Sequence, residues 1–164
     1  MVRPAIESDG DALAGFRCST GPWYEQDVQR FVRERALEQA LALSEDYRLL
    51  LVLEGDRLAC CAAHHGELLF RDDGNPILAT RLHLLAISVE DQGRRLDNGQ
   101  RLSDTVMATL IADAIETREV TVVTAIVALD NLRSMVLCEG HGLRSQVQYD
   151  ARHARLSGHF RPRV

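Results

Sequence analysis

The chain contains no lysine: all 19 basic residues among its 164 are arginine. GC-rich coding accounts for that bias, because arginine codons are GC-rich and lysine codons are not. A second reading is that an enzyme which modifies lysine escapes becoming its own substrate. Other absences exclude whole classes. No apolar run reaches the roughly 20 residues that cross a bilayer, and the opening MVRPAIESDG lacks a signal-peptide core. A cytoplasmic protein with no membrane partner is expected. There are only four cysteines, Cys18, Cys60, Cys61 and Cys138, with neither paired metal spacing nor the density of a disulfide scaffold. They read as reduced thiols. No repeat, low-complexity tract or linker divides the sequence, so residues 1–164 are expected to form a single domain.

The net charge of −5 argues against a general nucleic-acid binder, and nucleic acid is not an expected partner. The charge is unevenly spread. Residues 1–93 hold 9 arginines against 16 acids, whereas residues 94–164 hold 10 against 8.

One stretch organises the rest. An apolar run, RLHLLAISV (81–89), feeds a glycine-containing turn, EDQGRRLDNGQR (90–101), which opens into LSDTVMATLIADAIETR (102–118). A helix N-terminus leaves backbone N–H groups without partners, and with the helix dipole they attract phosphate. Gly93 and Gly99 allow close backbone approach, while Arg94, Arg95 and Arg101 add positive charge. The plainer reading is an ordinary strand-to-helix loop.

Around that stretch the periodicity predicts a strand at 2–5 and a helix from a Ser8 or Asp9 cap through Arg17. Residues 23–43 are helical, as one helix or two, with Val28, Phe31, Val32, Leu37 and Leu41 on the apolar face. Residues 47–65 read as a hairpin, and RDDGNP as a surface loop. The helix from 102 carries Leu102, Val106, Leu110 and Ile111 along one stripe. A strand at 120–127, a helix capped by Asp130 or Asn131 and ended by Gly142, and strands at 145–149 and 154–160 complete the chain. The order β–α–(α)–β–β–β–α–β–α–β–β predicts an α/β fold: a mixed sheet flanked by helices on both faces.

This order and three local patterns resemble the GNAT superfamily of acyl-CoA-dependent N-acyltransferases, over nearly the whole chain. RPAIESDGDAL (3–13) resembles the family's first strand and helix. The turn after the organising strand stands where the family carries its Gln/Arg-x-x-Gly-x-Gly/Ala pyrophosphate loop. NLRSMVLCEGHGL (131–143) is similar to the family's Asn-x-x-Ala/Ser-x-x-Leu-Tyr-Glu-x-x-Gly-Phe segment. Counting forward from Ile87 puts Gln92 on the loop's Gln/Arg position; counting back from Leu102 puts Gly99 on its last glycine. A two-residue insertion reconciles the counts. Cys138 stands where the family commonly has tyrosine.

The resemblance implies acetyl-CoA as cosubstrate, no metal, and transfer of the acetyl group to a primary amine of a small molecule or protein. The implied pyrophosphate site is Gln92, Gly93, Arg94, Arg95, Asn98, Gly99, Gln100 and Arg101. A backbone N–H within Leu85, Ala86 and Ile87 would polarise the acyl carbonyl. The pantetheine slot would lie between 84–89 and 122–127, with Asn131 near its end. Cys138 would sit near the departing sulfur as a proton donor, or simply pack the helix; Tyr149 or water is the alternative donor. His83, two residues before Leu85, is the candidate base. Cys60, Cys61, His64 and His65 do not form a metal site, because strand alternation sends Cys60 and His64 to one face and Cys61 and His65 to the other. Either histidine is free to line the acceptor pocket, as are Trp23, Tyr24, Glu25 and Asp27. Two other functions compete. One is a non-catalytic acyl-CoA-binding or sensing module. The other is a toxin-type acetyltransferase acting on aminoacyl-tRNA, for which Arg144, Arg152, Arg155, Arg161 and Arg163 would form a basic patch. Exposed terminal strands also allow a homodimer by edge pairing.

Overall fold

Residues 1–43 and 45–161 are described by the computed structural model; Arg163 of the expected basic patch lies outside them. The elements run β1 (Val2–Pro4), a 3-10 turn (Glu7–Asp9), α1 (Gly10–Ala14), α2 (Trp23–Glu34), α3 (Ala36–Ala42), β2 (Tyr47–Glu54), β3 (Arg57–Phe70) and β4 (Pro76–Ile87). A second 3-10 turn (Val89–Asp91) leads to α4 (Leu102–Arg118), β5 (Val122–Ala128), α5 (Leu132–Gly140), β6 (Ser145–Gln148) and β7 (His153–His159). The seven strands form one mixed sheet in the order β1-β2-β3-β4-β5-β7-β6. β4 and β5 are parallel, as a strand–helix–strand crossover through α4 requires, and β7 is antiparallel to both β5 and β6. The α/β fold with a mixed sheet is therefore as the sequence predicts. Among the described residues no helix is long and apolar enough to cross a membrane.

Boundaries differ from the sequence reading where polar residues sit inside strands. β3 runs on past His65 to Phe70, carrying Gly66 and Glu67, and β4 begins at Pro76 rather than Arg81. The 23–43 stretch is two helices that break at Arg35, and Leu41 is exposed instead of facing the core.

Two compact units divide the chain: residues 1–63 with 84–106, and residues 64–83 with 107–164. In the first, α1–α3 lay Leu13, Val32 and Ala36 on Tyr47, Leu49 and Leu51 of β2, all buried. Arg3 of β1 grips the buried Asp9 carboxylate through two hydrogen bonds, 2.6 and 2.8 Å, and Ile6 N–H donates to it at 2.8 Å.

In the second unit, β7 alternates cleanly: Ala154, Leu156 and Gly158 are buried, while His153, Arg155 and Ser157 are half-exposed. Gly158 is there because nothing larger fits. A Cβ at that position would lie 2.4 Å from the Gly142 carbonyl oxygen and 2.9 Å from the Phe160 ring. Gly158→Ala is expected to destabilise the protein by about 1–3 kcal/mol, the usual range for overpacking. Gly140→Ala, with open space around the new methyl, is the control and should not destabilise it. Urea unfolding of both variants checks this.

Candidate active site

In the first unit, the end of β4 and the loop after it occupy the place of the expected pyrophosphate site. Ala86 is buried, and Leu85 and Ile87 are half-buried. The loop is anchored by one buried carboxylate. Asp91 accepts from Ser88 Oγ at 2.5 Å, from Arg94 Nη1 at 2.6 Å and from both terminal nitrogens of Arg57. Arg94 also pairs with Glu54, and Gln92 Nε2 donates to the Cys18 carbonyl at 2.7 Å. Beyond this anchor, residues 95–101 fold back on themselves. Arg95 and Arg101 form a bridge, Leu96 N–H donates to the Gln100 carbonyl at 2.8 Å, and Asn98 Oδ1 accepts from Gln100 N–H at 3.0 Å.

The loop's arginines therefore divide by task. Arg94 is spent on Glu54 and Asp91, so its charge is neutralised within the fold. Arg95 donates to the Gly99 carbonyl at 2.7 Å but stays exposed, as does Arg101. Gly93 and Gly99 have φ of 77° and 80°, which only glycine adopts without strain, and no atom lies within 4 Å of a Cβ built on either. Arg95, Arg101 and the open backbone at Gly93 and Gly99 belong to the exposed part of the loop.

The hydrogen bonds from Arg57, against the opposing effect of burial, hold the Asp91 carboxyl down to about 2. A carboxylate with a depressed folded-state pKa stabilises the fold above its ordinary value of 3.8, and that contribution is lost as pH falls toward 2. Wild-type stability should thus drop across that window, and Asp91→Asn should show a shallower acid limb. Denaturant midpoints measured from pH 5 to pH 2 check the difference.

In the second unit, one sheet face gathers residues from four neighbouring strands. His65 and Glu67 lie on β3, Arg81 and His83 on β4, Thr124 on β5 and Arg155 on β7; side chains two apart on a strand share a face. Arg81 and Thr124 are direct cross-strand partners. Glu67, its side chain 7% exposed, accepts from Arg81, from Thr124 Oγ1 at 2.5 Å and from Arg155 Nη2 at 3.1 Å. Burial alone would raise its pKa; the hydrogen bonds from Arg81 and Thr124 and the two guanidinium charges outweigh that, and Glu67 stays below the ordinary value. The Tyr149 ring lies over both guanidiniums, 5.8 Å from Arg81 and 5.2 Å from Arg155. His65 and His83 meet edge to face at 5.6 Å. Desolvation by its neighbours, then His65 and Arg81, pushes His83 down to about 4, although the residue is exposed at the sheet surface. It is neutral at physiological pH.

Tyr149, just after β6, lies against Arg81 and Arg155, and His83 lies two residues from Arg81 along β4, while Cys138 is packed within α5. Cys138 is 3% exposed, and burial pushes its thiol up to about 11. Asn131 caps α5, its Oδ1 accepting from Ser134 N–H at 3.1 Å. Cys60, Cys61 and His64 are buried, with His64 Nε2 paired to Asp113 at 2.8 Å. Glu25 is occupied by Thr20, whose N–H and hydroxyl donate to it at 2.6 and 2.7 Å, and Asp27 pairs with Arg30. Sequence reasoning missed Glu67 and Arg81 and gave Arg155 only a place in a surface patch. The available signal was a polar residue at every second position of HHGEL, RLH and HARLS, one face of three strands.

No family model and no curated protein sequence matches the chain. Solved structures do. The AtaT toxin complexed with acetyl-methionyl-tRNAfMet superposes with a TM-score of 0.68 at 13% identity, covering 97% of this chain and 94% of that one. An AtaT mutant bound to acetyl-CoA and the C-terminus of its antitoxin AtaR gives 0.64 at 14%, covering 96% and 91%. The GNAT domain of S. lividans PAT gives 0.65 at 17%, covering 97% and 89%. The chain has the GNAT fold.

Proposed function

We propose that residues 1–164 work as one acyltransferase domain that moves an acetyl group from acetyl-CoA to a primary amine. The observation that carries the reading is the polar face of β4, where a neutral His83 stands two residues before Leu85, on the strand that leads into the loop. Proteins of this fold include one solved with acetyl-CoA and one with an acetylated aminoacyl-tRNA. Acetyl-CoA supplies an activated thioester.

In this reading Arg95, Arg101 and the backbone at Gln92, Gly93 and Asn98 receive the pyrophosphate, while the Gly99 and Gln100 N–H groups hold the loop itself together. A β4 backbone N–H among Leu85–Ile87 supports the carbonyl oxygen as it becomes an oxyanion. The amine nitrogen bonds to the acyl carbon, the C–S bond breaks, and the nitrogen loses a proton. His83 is a weak proton acceptor because its surroundings desolvate it, with smaller effects from His65 and Arg81, so it relays that proton onward to water. Tyr149 is the donor to the departing sulfur. Asn131 serves as the cap that sets the start of α5.

A second reading, a module that holds acyl-CoA without turnover, is favoured by the neutralisation of Arg94 and by cysteine at the family's tyrosine position. A tRNA-linked acceptor is a third; a net charge of −5 does not decide against it, because basic groups need only be local. Binding separates these from loss of the cofactor. Acetyl-CoA at a hundredfold over its dissociation constant should stabilise the fold by about 2.7 kcal/mol. An unchanged melting temperature with millimolar acetyl-CoA would sink the proposal.

Cys138→Ala tests the alternative donor. A thiol at about 11 is a poor acid, so turnover on any acetylated amine should stay within about twofold of wild type, while the melting temperature falls from the lost packing. A drop of about 10²-fold in turnover at unchanged stability would return Cys138 to the reacting centre.

A further inference from the structure

The Glu67 cluster holds more positive charge than its own carboxylate neutralises. Two guanidiniums share one carboxylate, and Glu67 already accepts on both oxygens. Each guanidinium carries five N–H donors. Glu67 engages a single terminal nitrogen of each, and the Nε–H groups of Arg81 and Arg155 are buried without a hydrogen-bond partner among the described residues. Four strands set the positions, and the Tyr149 ring centroid lies 5.8 Å and 5.2 Å from the two guanidinium carbons. The arginine side chains remain 22% and 27% exposed, so the surplus charge faces solvent at the sheet surface. His83 lies one step along β4 on the same face. A preformed, partly desolvated arginine pair with a spare charge matches a carboxylate's two oxygens.

We propose that Arg81 and Arg155, fixed by Glu67 and roofed by Tyr149, bind the carboxylate of a small acceptor whose amine then lies toward His83. The acceptor class is an amine that also carries a carboxylate, such as an α-amino acid. Only the amine half rests on the acyl-transfer reading; the carboxylate half stands on the cluster itself.

The test titrates the full chain with propionate, following the Tyr149 ring and arginine side-chain N–H signals by NMR. Butylamine and inorganic phosphate are the comparison probes. Propionate should shift these signals and butylamine should not. Arg155→Leu removes the spare charge and should weaken propionate binding about tenfold or more, the usual scale for a charge-assisted contact. Glu67→Gln adds to the spare charge and should tighten it. No propionate shift at Tyr149 overturns the proposal, as does equal affinity in Arg155→Leu or preference for phosphate. Should Arg155→Leu not fold, Glu67→Gln decides alone, and unchanged or weaker binding there overturns the site. A parallel assay compares acetylation of an α-amino acid with that of its amide. Equal turnover rejects the carboxylate anchor and leaves acyl transfer standing. Propionate binding that Arg155→Leu abolishes, with no acetyl transfer to any amine, keeps the anchor and rejects acyl transfer.

Discussion

A carboxylate buried in a protein stays ionised only if cations and hydrogen-bond donors are buried with it. Among the described residues Asp9, Glu67 and Asp91 meet that condition, and in each case the cation is arginine. The choice matters beyond charge. A guanidinium is planar, cannot lose its proton and offers a fixed fork of donors, so one group satisfies two acceptors at defined angles. Arg57 spans Glu54 and Asp91 this way, and Arg94 does the same from the other side. The loop after β4 holds its place through that four-residue lattice. Its flexible glycines are confined to Gly93 and the tip at Gly99, where the backbone must turn through positive φ.

The strand and helix order was legible because it rests on periodicity and turn chemistry. Val32, Leu49, Leu51, Leu110 and Leu156 are buried where alternation and helical spacing place apolar residues. Boundaries failed where a strand carries charge for a reason outside itself. The hairpin was read to stop at His65, short of Gly66 and Glu67, since nothing local explains a carboxylate in a strand. Its partners lie 14, 57 and 88 residues away, on three other strands. Contacts of that separation leave no mark in a local window. Asp91 shows the same limit: the EDQG run looks like a solvated loop, whereas Arg57, 34 residues earlier, draws its carboxylate inside.

The candidate site was legible in part. His83 and Tyr149 were singled out through the family resemblance, and Arg81 stands between them, two residues from His83 on β4 and against the Tyr149 ring. Cys138 was singled out because it replaces a tyrosine, yet alignment with a motif says nothing of burial. Arg94 and Arg95 illustrate a related failure. A count of arginines near a glycine turn predicts an anion site, but charge is useful to a ligand only when the protein has not already consumed it. Glu54 and Asp91 consume that of Arg94. Charge counting along the sequence overstates the loop and understates the β-sheet face, where the cations exceed the anions.

That imbalance bears on chemistry as well as binding. Arg81 disfavours a proton on its strand neighbour His83, adding to the larger effect of burial and to that of His65. In the free protein His83 is therefore a poor base. An acceptor carboxylate seated on Arg81 and Arg155 brings a negative charge into the same neighbourhood and cancels part of the repulsion, because Coulomb terms of opposite sign offset at short range. In the proposed site His83 would then become more basic when such an acceptor is present. An amine without a carboxylate leaves the arginine field in place and meets a weaker proton acceptor. Selection among acceptors would act on proton transfer as well as on affinity, through the same two arginines that keep Glu67 charged.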